Sequence, residues 1–284
     1  MTLKAEEQVE RLGFWQHAAA HPQALALVEA EGNEITAGEL LARANRLVHG
    51  FRLLGLEAGD CIAFVLPNGA PVLELFMAAT QAGWFLTPIN NNLAPVEIAY
   101  ILDDCQAKVL VASGRFAAAV EGALGLVDGT IEHRFSVDGG LKDFASFERF
   151  KALQSGDTPT QRRAGSAMTY TSGTTGRPKG VRRAVFDCEP EMVSNQQALF
   201  LSLFDMPPGS SHVHLTVAPL YHTAVLNFAT NHLHLGHTVV LMDGWTPEGM
   251  LQRVQAYRVT TSHMVPTMFI RLLKMDESAR LKYD

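Results

Sequence analysis

The sequence predicts an α/β fold with mainly parallel sheets. Short apolar runs typical of buried strands alternate with apolar positions at helical spacing, as expected for strand–helix–strand units. The chain has 284 residues, 47% hydrophobic and 18% charged, which is long enough for roughly two domains with cores of their own. It shows no repeat of fixed period, which excludes solenoids and propellers.

The first predicted unit is a strand, a turn and a long helix. The strand covers residues 24–30, and the turn follows at residues 31–33. Thr36 and Glu39 have the spacing of a capping box, in which each side chain bonds the backbone N–H of the other. Gly55 predicts the end of the helix because glycine readily adopts the left-handed conformation.

The following elements repeat this alternation. Residues 61–66 form a predicted buried strand, Asn68 is the predicted N-cap of a helix through Gln81, and Gly83 ends that helix. Residues 139–165 carry a charged helical patch and a polar loop, and we expect a seam between two subdomains there. The other predicted elements are strands at residues 84–88, 108–112, 167–171, 213–218 and 238–242, and helices at residues 95–104, 188–204, 224–235, 247–257 and 266–273.

The composition excludes several classes of function. Lys and Arg number 23 against 29 Asp and Glu, and a formal net charge of −6 does not favour binding to nucleic acid or to an anionic membrane. No segment reaches the roughly 20 apolar residues of a membrane span, and the N-terminus does not resemble a secretory signal. The three cysteines are far apart and predict neither a disulfide framework nor a zinc site. We therefore expect a cytoplasmic protein that acts on small molecules.

The sharpest local signal is the segment Tyr170-Thr-Ser-Gly-Thr-Thr-Gly-Arg-Pro-Lys-Gly180, directly after a predicted strand. Its glycines let the backbone approach a ligand, its hydroxyls can donate hydrogen bonds, and Lys179 adds a positive charge. Successive N–H groups in such a loop form a concavity for an anion, so phosphate is the predicted ligand. Pro178 and Gly180 replace the residues that a Walker loop requires beside its Lys, which disfavours an ordinary NTPase. A plain surface turn is the alternative.

This segment resembles the phosphate-loop signature of the adenylate-forming superfamily, which comprises acyl-CoA synthetases, peptide-synthetase adenylation domains and beetle luciferases. The match runs from Thr171 to Lys179. Four further segments occur in the family's order and at compatible distances, so that the resemblance covers nearly the whole chain: Ile35-Thr-Ala-Gly-Glu-Leu40, Gln81-Ala-Gly83 leading to Thr87-Pro-Ile-Asn90, Pro219-Leu-Tyr-His222 and Val265-Pro-Thr-Met-Phe269.

The resemblance implies a fold of stacked αβαβα-type subdomains, as in the large N-terminal domain of adenylate-forming enzymes. Residues 1–284 would form a partial N-terminal AMP-binding domain, incomplete at the C-terminus. The family's adenine-binding segment, with its Mg²⁺-binding Glu, and its C-terminal lid domain with the adenylation Lys are not found in this sequence. We therefore expect the N-terminal portion of a fatty-acid-type acyl-CoA synthetase, inactive as an isolated chain.

The implied reaction uses ATP, Mg²⁺ and CoA as the family does. A carboxylic acid attacks the α-phosphorus of ATP, pyrophosphate leaves, and the acyl group then passes to the thiol of CoA. A loop that neutralises the outer phosphates stabilises the charge that builds on pyrophosphate. By resemblance, the residues that bind the β- and γ-phosphates are Thr171, Ser172, Gly173, Thr174, Thr175, Gly176 and Lys179.

The resemblance also places His222 near the acyl carboxylate and the α-phosphate, where it would donate to an oxyanion or act as a gate. Without the match, a single His is more simply a core or capping residue. Apolar residues nearby could line an acyl channel for a medium- or long-chain fatty acid, although plain core packing is the usual role of such residues. The predicted pocket residues are Tyr221, His222, Val225, Leu226, Met264, Val265 and Met268, with Phe228 and Phe269 beside them.

Other interpretations of the sequence remain open. Six histidines lie between His212 and His237, but without interleaved carboxylates they predict no metal site, and a metal-dependent hydrolase is the weaker alternative. The arginine pairs 162–163 and 182–183 are expected at the solvated surface, or else guide phosphates. A catalytically silent binding or dimerisation fragment is the second alternative, and a homodimer is compatible with the sequence without being specified by it.

Overall fold

Helices and strands alternate along most of the chain. The computed structural model describes residues 13–129, 131–171, 179–182, 187–208 and 211–283. The strands are β1 Leu25–Val28, β2 Glu34–Thr36, β3 Cys61–Val65, β4 Phe85–Pro88, β5 Ala107–Ala112, β6 His133–Ser136, β7 Ala145–Ser146, β8 Ser166–Ala167, β9 Thr169–Thr171, β10 Lys179–Val181, β11 Val213–Thr216, β12 Thr238–Leu241 and β13 Thr261–Ser262. The α-helices are α1 Phe14–Ala20, α2 Ala37–Leu53, α3 Ala70–Ala82, α4 Pro95–Asp104, α5 Ala117–Leu124, α6 Phe147–Ala152, α7 Pro190–Ala198, α8 Thr223–His234, α9 Pro247–Tyr257, α10 Pro266–Leu273 and α11 Glu277–Arg280. Gly114–Phe116 and Leu199–Phe204 are 3₁₀-helices.

The chain divides into two compact units. The first comprises residues 1–40, 194–220 and 224–284, and the second comprises residues 41–193 and 221–223. Residues 139–165, where the sequence predicts a seam between subdomains, belong to the second unit. They supply α6 and β7, the edge strand of its large sheet.

The first unit is built on a five-stranded sheet in the order β13-β11-β12-β1-β2. All of its pairs are parallel except β1–β2, which the short turn after β1 makes antiparallel. One of its apolar clusters joins Val28, Leu215 and Val240 from three adjacent strands to Met242 and Met250.

The second unit contains a six-stranded sheet in the order β7-β6-β5-β3-β4-β8, in which every pair is parallel. Residues Cys61–Val65 of β3 are all buried, as expected for a central parallel strand covered on both faces. A two-stranded hairpin, β9–β10, belongs to the same unit. The prediction of an α/β fold with mainly parallel sheets is confirmed.

The ends of helices α2 and α3 can be compared with the capping signals that the sequence shows. The backbone N–H of Thr36 donates to Glu39 Oε2 at 3.0 Å and that of Glu39 to Thr36 Oγ1 at 3.2 Å, so the predicted capping box is confirmed. Gly83 ends α3 with a φ of 79°, also as predicted. The predicted N-cap Asn68 is wrong: Gly69 holds that position, without a side-chain cap, because α3 begins one residue later.

Removal of the capping box gives a first testable prediction. Thr36→Ala deletes the side-chain acceptor for the Glu39 N–H, and loss of a helix cap typically costs about 1 kcal/mol. We expect the free energy of unfolding in urea to fall by about that amount. Thr158→Ala, which removes a hydroxyl from an exposed loop residue, is the matched control. Equal stability of the two variants would contradict a capping role for Thr36.

Candidate functional site

The segment with the predicted phosphate loop forms a hairpin in the second unit. β9 and β10 are antiparallel, and the pairs Thr169–Val181, Tyr170–Gly180 and Thr171–Lys179 are in register. The last pair joins Thr171 and Lys179, the residues on either side of residues 172–178. Of the predicted phosphate-binding residues, Ser172, Gly173, Thr174, Thr175 and Gly176 lie outside the described residues. Thr171 and Lys179 lie on the paired strands.

One face of the hairpin is packed against its own unit. The Tyr170 hydroxyl donates a hydrogen bond to Asp104 Oδ2 at 2.5 Å, and its ring packs on the apolar cluster beneath. Gly180, opposite Tyr170, leaves room for this ring: a Cβ there would lie 2.8 Å from the ring carbon that carries the hydroxyl and 2.6 Å from the Met168 methyl. Glycine at this position is therefore a consequence of close packing.

Lys179 lies on the other face. Side chains alternate along a strand, so Lys179 projects away from the face on which Tyr170 packs. It is exposed, at the edge of residues 172–178. A cation so placed can reach an anion held by that loop.

The sequence predicts that the arginines flanking the hairpin lie at the solvated surface or guide phosphates; Arg183 lies outside the described residues, and two of the others contact the protein. Arg162 is partly buried: its guanidinium lies 2.6 Å from Glu191 Oε1, and the two side chains are 15% and 9% exposed. Its Nε also donates to Gln81 Oε1 at 3.2 Å. Arg182 is exposed but donates to the Gly59 carbonyl at 2.8 Å and lies over the Phe85 ring. Because these partners are distant in sequence, the spacing of charges could not reveal them.

The segment Pro219–His222 was the second predicted site. The Tyr221 hydroxyl lies 3.2 Å from Asn92 Nδ2, an interaction within the second unit that the sequence did not indicate. The rings of Tyr221 and His222 are 4.5 Å apart. His222 is exposed, yet the protein atoms around it desolvate the imidazole and lower its pKa. It is therefore neutral near pH 7 and can donate through one ring nitrogen and accept through the other.

The predicted acyl-pocket residues of the first unit divide by exposure. Val225 and Leu226 are buried in α8. Met264 and Met268 are partly buried and pack against the cluster around Val28. The remaining three have other surroundings: Val265 and Phe269 are exposed, and Phe228 packs against a small cluster of buried residues beside α8.

Three of the six histidines between His212 and His237 take part in a chain of hydrogen bonds in which the donor and the acceptor of each bond can be assigned. His237 Nε2 donates to the Pro207 carbonyl at 3.0 Å, because a carbonyl can only accept. His237 Nδ1 therefore accepts from His232 Nδ1 at 2.9 Å, and His232 Nε2 accepts from the Thr261 hydroxyl at 3.3 Å. Thr261 in turn accepts from His214 Nδ1 at 2.9 Å. All three imidazoles are neutral in this arrangement.

Burial explains why the imidazole rings of these histidines are neutral. Desolvation lowers the pKa of His214 to about 3, of His232 to about 2 and of His237 to about 4. The pKa of His234, whose Nδ1 accepts the backbone N–H of Phe14 at 3.1 Å, falls to about 3 for the same reason. Among the described residues, no group of three or more His, Cys, Asp or Glu side chains is arranged to hold a metal ion.

A cavity of about 550 Å³ lies at the amino ends of β3 and β5 in the second unit. Several of its charged groups have protein partners: Lys108 lies 2.9 Å from Asp60, and Asp103 accepts the backbone N–H groups of residues 128 and 129. Ligands in open parallel sheets bind at the carboxyl ends of strands, the opposite edge. We assign this cavity no function. In the described ranges, no helix is long and apolar enough to cross a membrane.

The fold and the hairpin together define a class: a parallel α/β protein with a Gly-, Ser- and Thr-rich loop between paired strands. The chain belongs to the AMP-binding enzyme family, whose model matches residues 14–284. It is 32% identical over 265 residues to a feruloyl-CoA synthase of Amycolatopsis sp, covering 91% of this chain and 49% of that protein. It is 27% identical over 272 residues to a long-chain-fatty-acid–CoA ligase of Mycobacterium tuberculosis, covering 94% and 51%.

A solved structure gives the same result for the fold. The N-terminal domain of FACL13 from Mycobacterium tuberculosis superposes with a TM-score of 0.78 at 25% identity, covering 95% of this chain and 67% of that one. The chain spans about half the length of the curated relatives that it matches. The predicted resemblance to adenylate-forming enzymes is thereby confirmed.

Proposed function

We propose that this chain is the N-terminal part of an enzyme that activates a carboxylic acid with ATP and transfers the acyl group to CoA. The observation that carries the proposal is the Thr171–Lys179 strand pair, which closes a loop of the family's phosphate-binding sequence. Membership of the AMP-binding enzyme family supports it independently. Free thiols at Cys61, Cys105 and Cys188 are compatible with the reducing cytoplasm that we propose as its location.

The first step proposed is adenylation. A carboxylate oxygen bonds to the α-phosphorus of ATP, the bond from that phosphorus to the bridging oxygen breaks, and pyrophosphate leaves with the electron pair. Negative charge grows on the leaving group, so Lys179 and the loop's N–H and hydroxyl donors would stabilise the transition state more than the ground state. Mg²⁺ would add charge compensation when bound to the phosphates of ATP; among the described residues, no three His, Cys, Asp or Glu side chains are grouped to hold a metal ion by themselves.

The second step proposed is thioester formation. The CoA thiolate attacks the acyl carbon of the adenylate, and AMP leaves. His222 would lie near the acyl carbonyl and the α-phosphate, the role that we carry over by resemblance. Its lowered pKa leaves a neutral imidazole, which can donate a hydrogen bond to the oxyanion without adding a fixed charge.

The substrate class proposed is a medium- or long-chain fatty acid. The apolar side chains of Val225, Met264 and Met268 support an apolar acyl group. An aromatic propenoic acid is the second candidate, favoured by the 32% identity to a feruloyl-CoA synthase. The sequence of the chain's own pocket does not separate the two, so they need a direct comparison.

The test is thioester formation by the full-length protein with ATP, Mg²⁺ and CoA. Decanoate, palmitate and ferulate are assayed at equal concentration, with acyl-CoA measured by mass spectrometry. Decanoyl-CoA or palmitoyl-CoA as the dominant product supports the fatty-acid assignment, and feruloyl-CoA would replace it by the aromatic one. Fatty-acid binding in calorimetry without thioester from any acid would favour the silent binding fragment instead.

A further inference from the structure

The hairpin is attached to its unit at a point beside the loop. Tyr170 is the neighbour of Thr171, the last residue before residues 172–178. Its hydroxyl bonds Asp104, the last residue of α4, a residue 66 positions earlier in the chain. Both strands of the hairpin are short, three residues each. Just before β9, the backbone N–H of Met168 donates to the Leu86 carbonyl at 2.8 Å and ties the start of the hairpin to β4.

A second attachment lies on the other strand. Arg182, directly after β10, donates to the Gly59 carbonyl at 2.8 Å and lies with its guanidinium carbon 4.6 Å from the centre of the Phe85 ring. The segments before and after the hairpin are also joined by a hydrogen bond, because the Ala164 N–H donates to the Cys188 carbonyl at 3.0 Å. Of these contacts, the hydrogen bond of the Tyr170 hydroxyl is nearest in sequence to residues 172–178.

We propose that Tyr170 and Asp104 are positioning residues for the phosphate loop, a role that rests on the proposed function. Their hydrogen bond holds the Tyr170 face of the hairpin against the second unit. Because Lys179 lies on the opposite face, the same bond sets the direction in which Lys179 projects. Neither residue touches the phosphates. They act through the Tyr170–Gly180 and Thr171–Lys179 pairs, which transmit the attachment to the base of the loop.

The hydrogen bond between Tyr170 and Asp104 is of a strong type. A hydroxyl that donates to a carboxylate makes a charge-assisted hydrogen bond, stronger than one between neutral groups. Burial and the bond to Asp104 raise the pKa of Tyr170, so that it remains a donor at every pH at which the protein works. Because catalysis loses much of its rate when a catalytic group is displaced by about 1 Å, a fixed hairpin favours productive binding of the pyrophosphate part of ATP.

Tyr170→Phe and Asp104→Ala test this proposal in the full-length protein. Tyr170→Phe keeps the ring and removes the donor hydroxyl, and Asp104→Ala removes the acceptor carboxylate at an exposed position. In acid-dependent ATP–pyrophosphate exchange, we expect kcat to fall about 3- to 10-fold and the KM for ATP to change less than 2-fold, because the loosened hairpin mainly weakens stabilisation of the transition state. The double variant should be no worse than either single variant, since all three lack the same bond. Tyr257→Phe, in the first unit, is the matched control and should keep the wild-type kcat.

Amide hydrogen exchange tests the positioning itself without any activity. Peptides covering residues 168–182 should exchange at least 3-fold faster in both single variants, whereas peptides covering β3 and β5 keep the wild-type rate. Wild-type kcat together with wild-type amide hydrogen exchange in residues 168–182 would overturn the proposal. If the wild-type protein shows no ATP–pyrophosphate exchange with any acid, the proposed function fails, and hydrogen exchange alone then decides whether Tyr170 and Asp104 position the hairpin.

Discussion

Lys179→Ala in the full-length protein is expected to reduce acid-dependent ATP–pyrophosphate exchange by about 100-fold, because deletion of one preorganised group that stabilises developing charge has typically that effect. Lys179 is exposed at the edge of the loop and projects from the face opposite to Tyr170, so the change removes a charge without disturbing packing. Thermal unfolding should therefore match that of the wild type. The readout is kcat/KM for ATP at saturating decanoate, the fatty acid with which the test begins.

Two further variants separate charge from other effects. Lys179→Arg keeps the positive charge and should retain more activity than Lys179→Ala, although its planar fork differs from an ammonium group. Lys142→Ala removes an equally exposed lysine outside the hairpin and should leave kcat/KM unchanged. Exchange by Lys179→Ala at the wild-type rate would remove the hairpin lysine from the mechanism.

Acid is expected to destabilise the chain steeply below pH 6.5. His214, His232, His234 and His237 have folded-state pKa values of about 3, 2, 3 and 4, all below the usual 6.5. The unfolded chain therefore binds their protons first as the pH falls. Their contribution to stability is fully present above pH 6.5 and is lost progressively down to the folded-state values.

The size of this effect follows from linkage. Each histidine that is neutral when folded and protonated when unfolded costs about 1.4 kcal/mol per pH unit, so four cost about 6 kcal/mol per unit well below pH 6.5. Since domains have total stabilities of roughly 5–15 kcal/mol, we expect unfolding between about pH 5.5 and 4. At His232 and His237 both ring nitrogens take part in the hydrogen-bonded chain, so an added proton on either ring costs a hydrogen bond.

Urea unfolding at pH 7.5, 6.5, 5.5 and 4.5 measures this slope. His214→Phe keeps a ring in the stack with Phe228 and His232 and removes one titrating group, so the slope should fall by about 1.4 kcal/mol per pH unit. His21→Gln, at an exposed position, is the control and should keep the wild-type slope. Stability that is constant from pH 6.5 to 4.5 would show that the buried histidines are protonated in the folded state.

Much of the fold could be predicted because local signals agree with tertiary structure. The helices Pro95–Asp104, Pro247–Tyr257 and Pro266–Leu273 have the predicted bounds, since proline in the first turn marks each start. The predicted strand at residues 213–218 is longer than β11, which spans Val213–Thr216, because apolar pattern does not show where pairing ends. The predicted helix 188–204 is two elements, α7 and a 3₁₀-helix from Leu199, a change that apolar periodicity does not distinguish.

The candidate site could be predicted only where its residues are adjacent in sequence. The loop and the Pro219–His222 segment are local motifs that the sequence alone can suggest, and their roles stay predictions. Tyr170 and Asp104 are 66 positions apart, and Arg162 and Glu191 are 29 apart, so their contacts depend on the tertiary fold rather than on spacing. The sequence does not show the partial burial of Arg162 for that reason, and the histidine chain likewise depends on Thr261, which β13 brings beside His214.

The most direct measurement is ATP–pyrophosphate exchange by the full-length protein, with and without a carboxylic acid, in the presence of Mg²⁺. Adenylation is reversible, so labelled pyrophosphate should enter ATP only when the acid is present, and Lys179→Ala should abolish most of that signal. We expect ATP–pyrophosphate exchange that depends on added fatty acid or ferulate. Absence of exchange with either, by a protein that is folded and binds ATP, would contradict the proposed function.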